Sequence, residues 1–181
     1  MVLSHFVASS ANIEIRPATG ADTERFPAVE RDSGERFREL PALAWIADDD
    51  VMSAEAHRSH LETGVVLSAF VDDTLVGFLT AARVDDGFHL WQMAVALAHQ
   101  RRGIGTRLIE ALQREAVSRG VGAVTLTTFR DVSWNAPFYA SLAFEMVGNA
   151  ELNGFLRDVL AREAAHGIPV ELRCAMRWTS G

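Results

Sequence analysis

The most informative stretch of this sequence is Val95-Ala96-Leu97-Ala98-His99-Gln100-Arg101-Arg102-Gly103-Ile104-Gly105-Thr106-Arg107-Leu108. In this stretch an apolar strand ends, a short basic loop follows, and an amphipathic helix begins. The first turn of a helix has unpaired backbone N–H groups and a partial positive charge, so it binds phosphate oxygens. Gly103 and Gly105 lack Cβ atoms and let the backbone approach a pyrophosphate closely. Arg101 and Arg102 add charge, and the stretch therefore predicts an anion site.

Taken alone, this loop leaves the ligand open. A helix start that happens to carry glycines and arginines has the same pattern. The lysine-containing Walker pattern is absent and the glycine spacing does not match GxGxxG, which disfavours a nucleoside triphosphate or a dinucleotide.

Composition excludes several classes of protein. The chain has 181 residues, 49% of them hydrophobic and 23% charged, as expected for one globular domain. We predict a flexible tail over residues 1–11 and a single domain over 12–181. No apolar run is long enough for a membrane helix, the first residues lack a secretory signal, and the net charge of -7 argues against nucleic acid as a partner. Cys174 is the only cysteine, which excludes an internal disulfide and makes the cytoplasm the default location.

Hydrophobic periodicity predicts a mixture of strands and helices. Thr19 and Asp22 form a predicted capping box, opening a helical region that runs to about Leu40 and is broken or kinked at Pro27. The predicted strands are a short one at Ile13 and Ile15, then 65–71, 75–84, 88–95, 121–127, 144–147 and 170–178. Further helices are predicted over 53–63, from Ile104 to a stop at Gly120, over 134–142 and over 155–166. This order predicts an α/β (α+β mixed) fold with a mixed, mainly antiparallel central sheet flanked by helices.

Two motifs are similar to those of a known family. The Q/R-x-x-G-x-G/A signature of the GNAT superfamily of N-acetyltransferases is matched by Gln100-Arg101-Arg102-Gly103-Ile104-Gly105, which follows a strand ending in Met93-Ala94-Val95. The asparagine–tyrosine helix of that family resembles Trp134-Asn135-Ala136-Pro137-Phe138-Tyr139-Ala140-Ser141-Leu142-Ala143-Phe144. The family usually closes this helix with Gly-Phe. Ala143 replaces the glycine here, which predicts strain where the turn needs a positive φ.

The resemblance implies an N-acetyltransferase that uses acetyl-coenzyme A as co-substrate. In the family, the pyrophosphate binds backbone amides of the loop, here Gln100, Arg101, Arg102, Gly103, Ile104, Gly105 and Thr106. The pantetheine arm lies between two splayed strands and pairs with main-chain groups, carried over to Met93, Ala94 and Val95. One of those N–H groups can also polarise the thioester carbonyl. A small-molecule or peptide amine attacks directly, so no protein nucleophile is needed, and dimers are frequent among relatives, which makes a homodimer possible.

By the same resemblance, Tyr139 is the general acid and Asn135 helps to fix the cofactor. A phenol with a pKa of about 10 can protonate a departing thiolate, whose thiol resembles cysteine at about 8.5. Tyr139 lies four residues after Asn135 and is the only tyrosine in the chain. The alternative is a half-buried aromatic ring with a hydrogen-bonded hydroxyl.

The general base stays open between three candidates. Many members of the family use an acidic residue on the strand before the loop, but 88–93 contains no carboxylate. His89 is the residue there with a suitable pKa. Glu30, in the first helical region, is a rival, and a water chain is a third solution. Because the strand carboxylate is missing, a catalytically silent acyl-coenzyme A sensor or assembly module remains the alternative function.

The remaining candidate residues favour plain structural roles. His57 and His60 share a helix face that we expect to be solvated, and no metal site is predicted. Core packing is expected for Cys174 and for Trp45, Trp91 and Trp134. Acidic residues in the variable segments 30–61 and 149–169 favour a cationic acceptor.

Overall fold

The central feature of the protein is one seven-stranded sheet, seen in a computed structural model that describes residues 12–181. The tail predicted over 1–11 lies outside the described residues. The strands are β1 (Ile13–Pro17), β2 (Val65–Val71), β3 (Thr74–Val84), β4 (Gly87–Val95), β5 (Ala123–Phe129), β6 (Glu145–Met146) and β7 (Arg173–Thr179). They are ordered β1-β2-β3-β4-β5-β7-β6, and only β4 and β5 run parallel. The predicted mixed, mainly antiparallel sheet is confirmed.

Six helices cover the two faces of this sheet: α1 (Gly20–Thr23), α2 (Phe26–Gly34), α3 (Ala54–Arg58), α4 (Ile104–Ser118), α5 (Ala136–Ala140) and α6 (Gly154–Ala165). The predicted capping box is present, because Thr19 N donates to Asp22 Oδ2 at 2.8 Å and Asp22 N donates to Thr19 Oγ1 at 3.3 Å. Among residues 12–181, no helix is long and apolar enough to cross a bilayer.

The helical region after α1 differs in part from the prediction. As predicted, the helical region is broken near Pro27: α1 ends at Thr23, and Pro27 lies in the first turn of α2, where its missing N–H has no helical partner to lose. The α-helix ends at Gly34 and continues as 3₁₀ turns over Glu35–Glu39 and Pro41–Asp48. Leu40 is extended between them because a residue before proline is pushed out of the helical region.

Apolar packing fixes α4 against the sheet. Its buried face is Ile104, Leu108, Ile109, Leu112 and Ala116, each at most 1% exposed. Burial of each larger side chain contributes roughly 1.5–3 kcal/mol, so the start of α4 is held rigidly at the end of β4. On the opposite face of the sheet, α2 packs through Phe26 and Val29.

A gap opens where β4 and β5 separate. The parallel pairing with β5 covers only Phe88 to Leu90 of β4, although both strands continue beyond this paired segment. The register of β3 against β4 also shifts after Thr80, which leaves Trp91 in a bulge. Backbone groups near the end of β4 therefore face a cleft on the side of β5.

Candidate active site

One cavity of about 840 Å³ extends from this gap and gathers the predicted site residues. It is bounded by α2, the end of β4, the loop before α4, β5, α5 and α6. Its lining includes Glu30, His89, Met93, Ala94, Val95, Gln100, Arg101, Gly103, Ile104, Gly105, Thr106, Asn135 and Tyr139. Of the residues predicted from the sequence, only Arg102 is not part of the lining; it is exposed.

The loop before α4 has the backbone geometry of an anion site. Gly103 caps the helix in the left-handed conformation with φ +79°, and no side chain bonds to the first-turn amides. Arg101 also has a positive φ, +60°, which is uncommon for a residue with a side chain. A Cβ on Gly105 would lie 3.3 Å from Phe138 Cζ and 3.8 Å from Met93 Cε. The glycine therefore lets α4 approach α5 and β4 closely at the cavity.

Gln100 holds the loop through its side chain, which the motif alone did not predict. Its Nε2 donates to Val95 O at 3.0 Å, and its Oε1 accepts from Arg36 Nη1, also at 3.0 Å. The Arg36 guanidinium in turn lies 4.1 Å from the centre of the Trp134 ring. These contacts connect the loop to β4 on one side and to the turn after α2 on the other.

Asn135 presents a buried atom without a partner. Its Nδ2 donates to Thr128 Oγ1 at 3.0 Å, whereas Oδ1 is buried and accepts no hydrogen bond from residues 12–181. Buried polar atoms normally have a partner, so an orphaned acceptor at a cavity wall fits a ligand that donates an N–H or O–H. The helix α5 begins immediately after Asn135.

Tyr139 is held within an aromatic cluster at the cavity wall. Its ring packs against Phe138 and Phe144 at centroid distances of 5.2 and 5.7 Å and is 9% exposed. Burial raises the pKa of the phenol above its ordinary value, so the hydroxyl keeps its proton at neutral pH. The turn after this helix is the strained one that the sequence predicts, because Ala143 has φ +64°.

Glu30 is a mostly buried carboxylate on α2 whose side chain is 12% exposed. Its Oε1 accepts from Gln92 Nε2 at 2.5 Å, and its Oε2 accepts from Met52 N at 3.3 Å. Burial outweighs these hydrogen bonds and raises the pKa of Glu30 to about 7. Glu30 is therefore divided between its acidic and basic forms near neutral pH.

His89 lies deeper, on β4, and is 1% exposed. Its Nδ1 is 2.9 Å from Thr125 Oγ1, and its ring meets those of Trp91 and Phe155 edge-on at 4.6 and 4.9 Å. Burial lowers the pKa of His89 to about 4, so the imidazole is neutral and weakly basic at neutral pH.

Gln92 is a site residue that sequence reasoning missed. Besides donating to Glu30, its side chain accepts through Oε1 from Met93 N at 3.0 Å. The Met93 N–H expected to face the cofactor is thus bonded to a neighbouring side chain. The available signal was a polar amide between two large apolar residues of β4, Trp91 and Met93.

Three expectations about other residues are wrong. His57 is fully buried, not solvated, because α3 packs it edge-on against the rings of Phe26 and Phe78, which stack on each other. Trp45 and Trp91 are 39% and 37% exposed and so are not core residues; Trp91 lies in the bulge and lines the cavity. In contrast, Cys174 is buried as expected.

Comparisons with solved structures define the class of protein. The PaiA N-acetyltransferase of Thermoplasma acidophilum, solved with coenzyme A, is similar with a TM-score of 0.69 at 19% identity over 93% of this chain and 99% of that one. The ribosomal-protein-S18-alanine N-acetyltransferase of Escherichia coli gives 0.66 at 17% identity over 94% and 97%. N-acetylglutamate synthase of Neisseria gonorrhoeae, with coenzyme A and N-acetyl-glutamate, gives 0.67 at 18% identity over 93% and 35%. The chain has the fold of these N-acetyltransferases.

The family follows from the sequence. The model of the family described as Acetyltransferase (GNAT) family matches residues 24–144. This match spans both motifs and most of the cavity lining. The protein belongs to the GNAT acetyltransferase family.

Proposed function

We propose that the protein transfers the acetyl group of acetyl-coenzyme A to an amine by direct attack within a ternary complex. The observation that carries this proposal is the single cavity, which connects the amide-rich start of α4 to Tyr139 and Glu30. An anion site, a neutral phenol and a carboxylate that titrates near 7 are the groups that this reaction needs.

The lining fits coenzyme A by charge and by shape. First-turn amides of α4 and the guanidinium of Arg101 suit its pyrophosphate, and the bare Cα of Gly105 leaves room for Phe138 and Met93 to pack closely against the start of α4. Asn135 Oδ1 would accept from an N–H of the pantetheine arm, beside the strand end at Met93, Ala94 and Val95. The bound thioester supplies an activated acetyl group. The coenzyme A in the Thermoplasma and Neisseria structures supports this assignment.

Glu30 is the better of the two candidate bases. An alkylammonium must lose its proton before it attacks, and a base with a pKa near the working pH accepts that proton efficiently. Glu30 has this pKa, whereas His89 is about three pH units too weak a base in its apolar surroundings. Tyr139 then donates its proton to the departing sulfur as the C–S bond breaks, since its buried phenol is protonated at neutral pH. The second proton that the attacking nitrogen loses on forming the amide restores the phenol.

Release of free thiol tests the proposal. The purified protein is given acetyl-coenzyme A and a panel of small amines and peptides, and thiol is followed with a chromogenic reagent. We expect turnover with at least one amine. Protection of the fold by coenzyme A without turnover of any amine would instead support the silent sensor.

Tyr139→Phe tests the acid directly. The ring keeps its packing against Phe138 and Phe144, so the fold should be preserved while kcat falls about 100-fold and the KM for acetyl-coenzyme A stays the same. An unchanged kcat, with chemistry shown to limit the rate, would remove Tyr139 from the mechanism.

A further inference from the structure

His57 is a buried imidazole that the mechanism above does not use. It lies on α3, is fully buried, and lines no part of the cavity. Its Nδ1 is 2.8 Å from Thr80 Oγ1, on the sheet. Its Nε2 is buried, has no side-chain hydrogen-bond partner within residues 12–181, and lies 3.9 Å from Glu30 Oε2. The backbone of Met52 also interacts with the His57 ring. A charged oxygen of the proposed base therefore lies close to this nitrogen.

The contacts of the two ring nitrogens favour one tautomer of the neutral His57 imidazole. A threonine hydroxyl can donate as well as accept, so Thr80 O–H can donate to Nδ1. The neutral ring then carries its proton on Nε2 and directs an N–H at Glu30. The opposite tautomer would leave Nε2 as a bare lone pair facing a carboxylate, which is unfavourable.

We propose that His57 is a positioning residue for acetyl transfer: its Nε2–H faces Glu30 Oε2 from behind the cavity and favours the charged, proton-accepting form of that carboxylate. This inference rests on the proposed function, since it gives His57 a part in the reaction only through Glu30. Gln92, which lines the cavity, and Met52 N hold the same carboxylate. Glu30 is thus held at both oxygens, and His57 is the contact that comes from the interior.

Other charged groups near the pair do not replace this contact. On α2 the neighbouring charge is Arg31, and in the turn after α3 it is His60, which adds to the effect of burial in lowering the pKa of His57. The cavity wall opposite carries Asp49 and Asp50. Burial lowers the pKa of His57 to about 4, so the ring acts as a neutral donor throughout the range in which Glu30 titrates.

Two variants separate the two ring nitrogens. His57→Gln places an amide N–H near the position of Nε2 and keeps the donor to Glu30, whereas His57→Asn reaches only the position of Nδ1 and keeps the contact with Thr80. The acid limb of the kcat profile should shift upward by about one pH unit in His57→Asn and return close to the wild-type position in His57→Gln. Equal shifts in both variants, or none, would overturn the inference, because loss of packing alone affects both.

A measurement that needs no activity keeps this inference separate from the proposed function. In protein labelled with ¹³C at glutamate carboxyls, the Glu30 signal, assigned by its loss in Glu30→Gln, should titrate about one unit higher in His57→Asn. In wild-type protein, ¹⁵N shifts of His57 should report the Nε2–H tautomer between pH 5 and 8, which tests the inference even when the variants fold poorly. The Nδ1–H tautomer would overturn it. Absence of turnover in wild-type protein would overturn the proposed function alone.

Discussion

The loop that opens α4 and the wall formed by α2 border the same cavity, but they build their parts of it differently. In the loop, the working groups are backbone amides, and their placement follows from glycines and from the helix start at Ile104. In the wall, the working group is one side chain, Glu30, whose properties come from burial and from Gln92, 62 residues further along the chain. Local sequence determines the first kind of site, whereas the second depends on the tertiary structure.

The largest expected effect is the loss of kcat on substitution of Glu30 in the cavity wall. Glu30→Gln should lower kcat by about 100- to 10,000-fold, because the amide cannot accept the proton of the amine, and leave the KM for acetyl-coenzyme A unchanged. Steady-state kinetics with a turned-over amine measures both. The matched control is Glu39→Gln, an exposed residue outside the cavity lining, which should behave as wild type. A raised KM for acetyl-coenzyme A with full kcat would contradict the separation of the two regions.

Burial of Glu30 also makes the stability of the protein depend on pH. Its pKa rises from an ordinary 4.5 to about 7 on folding, so between these values the folded protein binds the proton that the unfolded chain has lost. The free energy of unfolding of wild type should therefore fall, relative to Glu30→Gln, by on the order of 2–3 kcal/mol from pH 4.5 to 8. Urea unfolding across this range measures the difference. Parallel pH profiles would show that the carboxylate is ionised at little cost in the folded state.

These cases explain how much the sequence could predict. The strands, the capping box at Thr19 and the loop at Gly103 follow from local patterns, and the structure has all three. The 3₁₀ turns after Gly34, the burial of His57 and the part played by Gln92 depend on contacts between distant segments. Glu30 and His89 were both predicted, but only their surroundings separate a base that titrates near 7 from one that titrates near 4.

A smaller effect is expected in the loop. Gly105→Ala adds a Cβ that would lie 3.3 Å from Phe138 Cζ, so the Phe138 ring, which lines the cavity, must shift slightly. We expect the KM for acetyl-coenzyme A to rise about 3- to 10-fold, which corresponds to roughly 1 kcal/mol, with kcat little changed. Gly154→Ala is the control, since its Cβ meets nothing within 4 Å and it lies outside the cavity lining. Equal KM values in both variants would show that the second glycine of the motif has no steric role.

The smallest expected effect concerns the stability of the turn after α5, where alanine replaces the glycine of the family motif. Ala143 has φ +64°, a conformation that is strained by roughly 1–2 kcal/mol in alanine and that glycine adopts freely. Because glycine also loses more backbone entropy on folding, Ala143→Gly should gain only about 0.5–1 kcal/mol in thermal or urea unfolding. Ala161→Gly, an exposed position inside α6, should lose a similar amount. Destabilisation by both substitutions would mean that the turn after α5 relaxes to a negative φ.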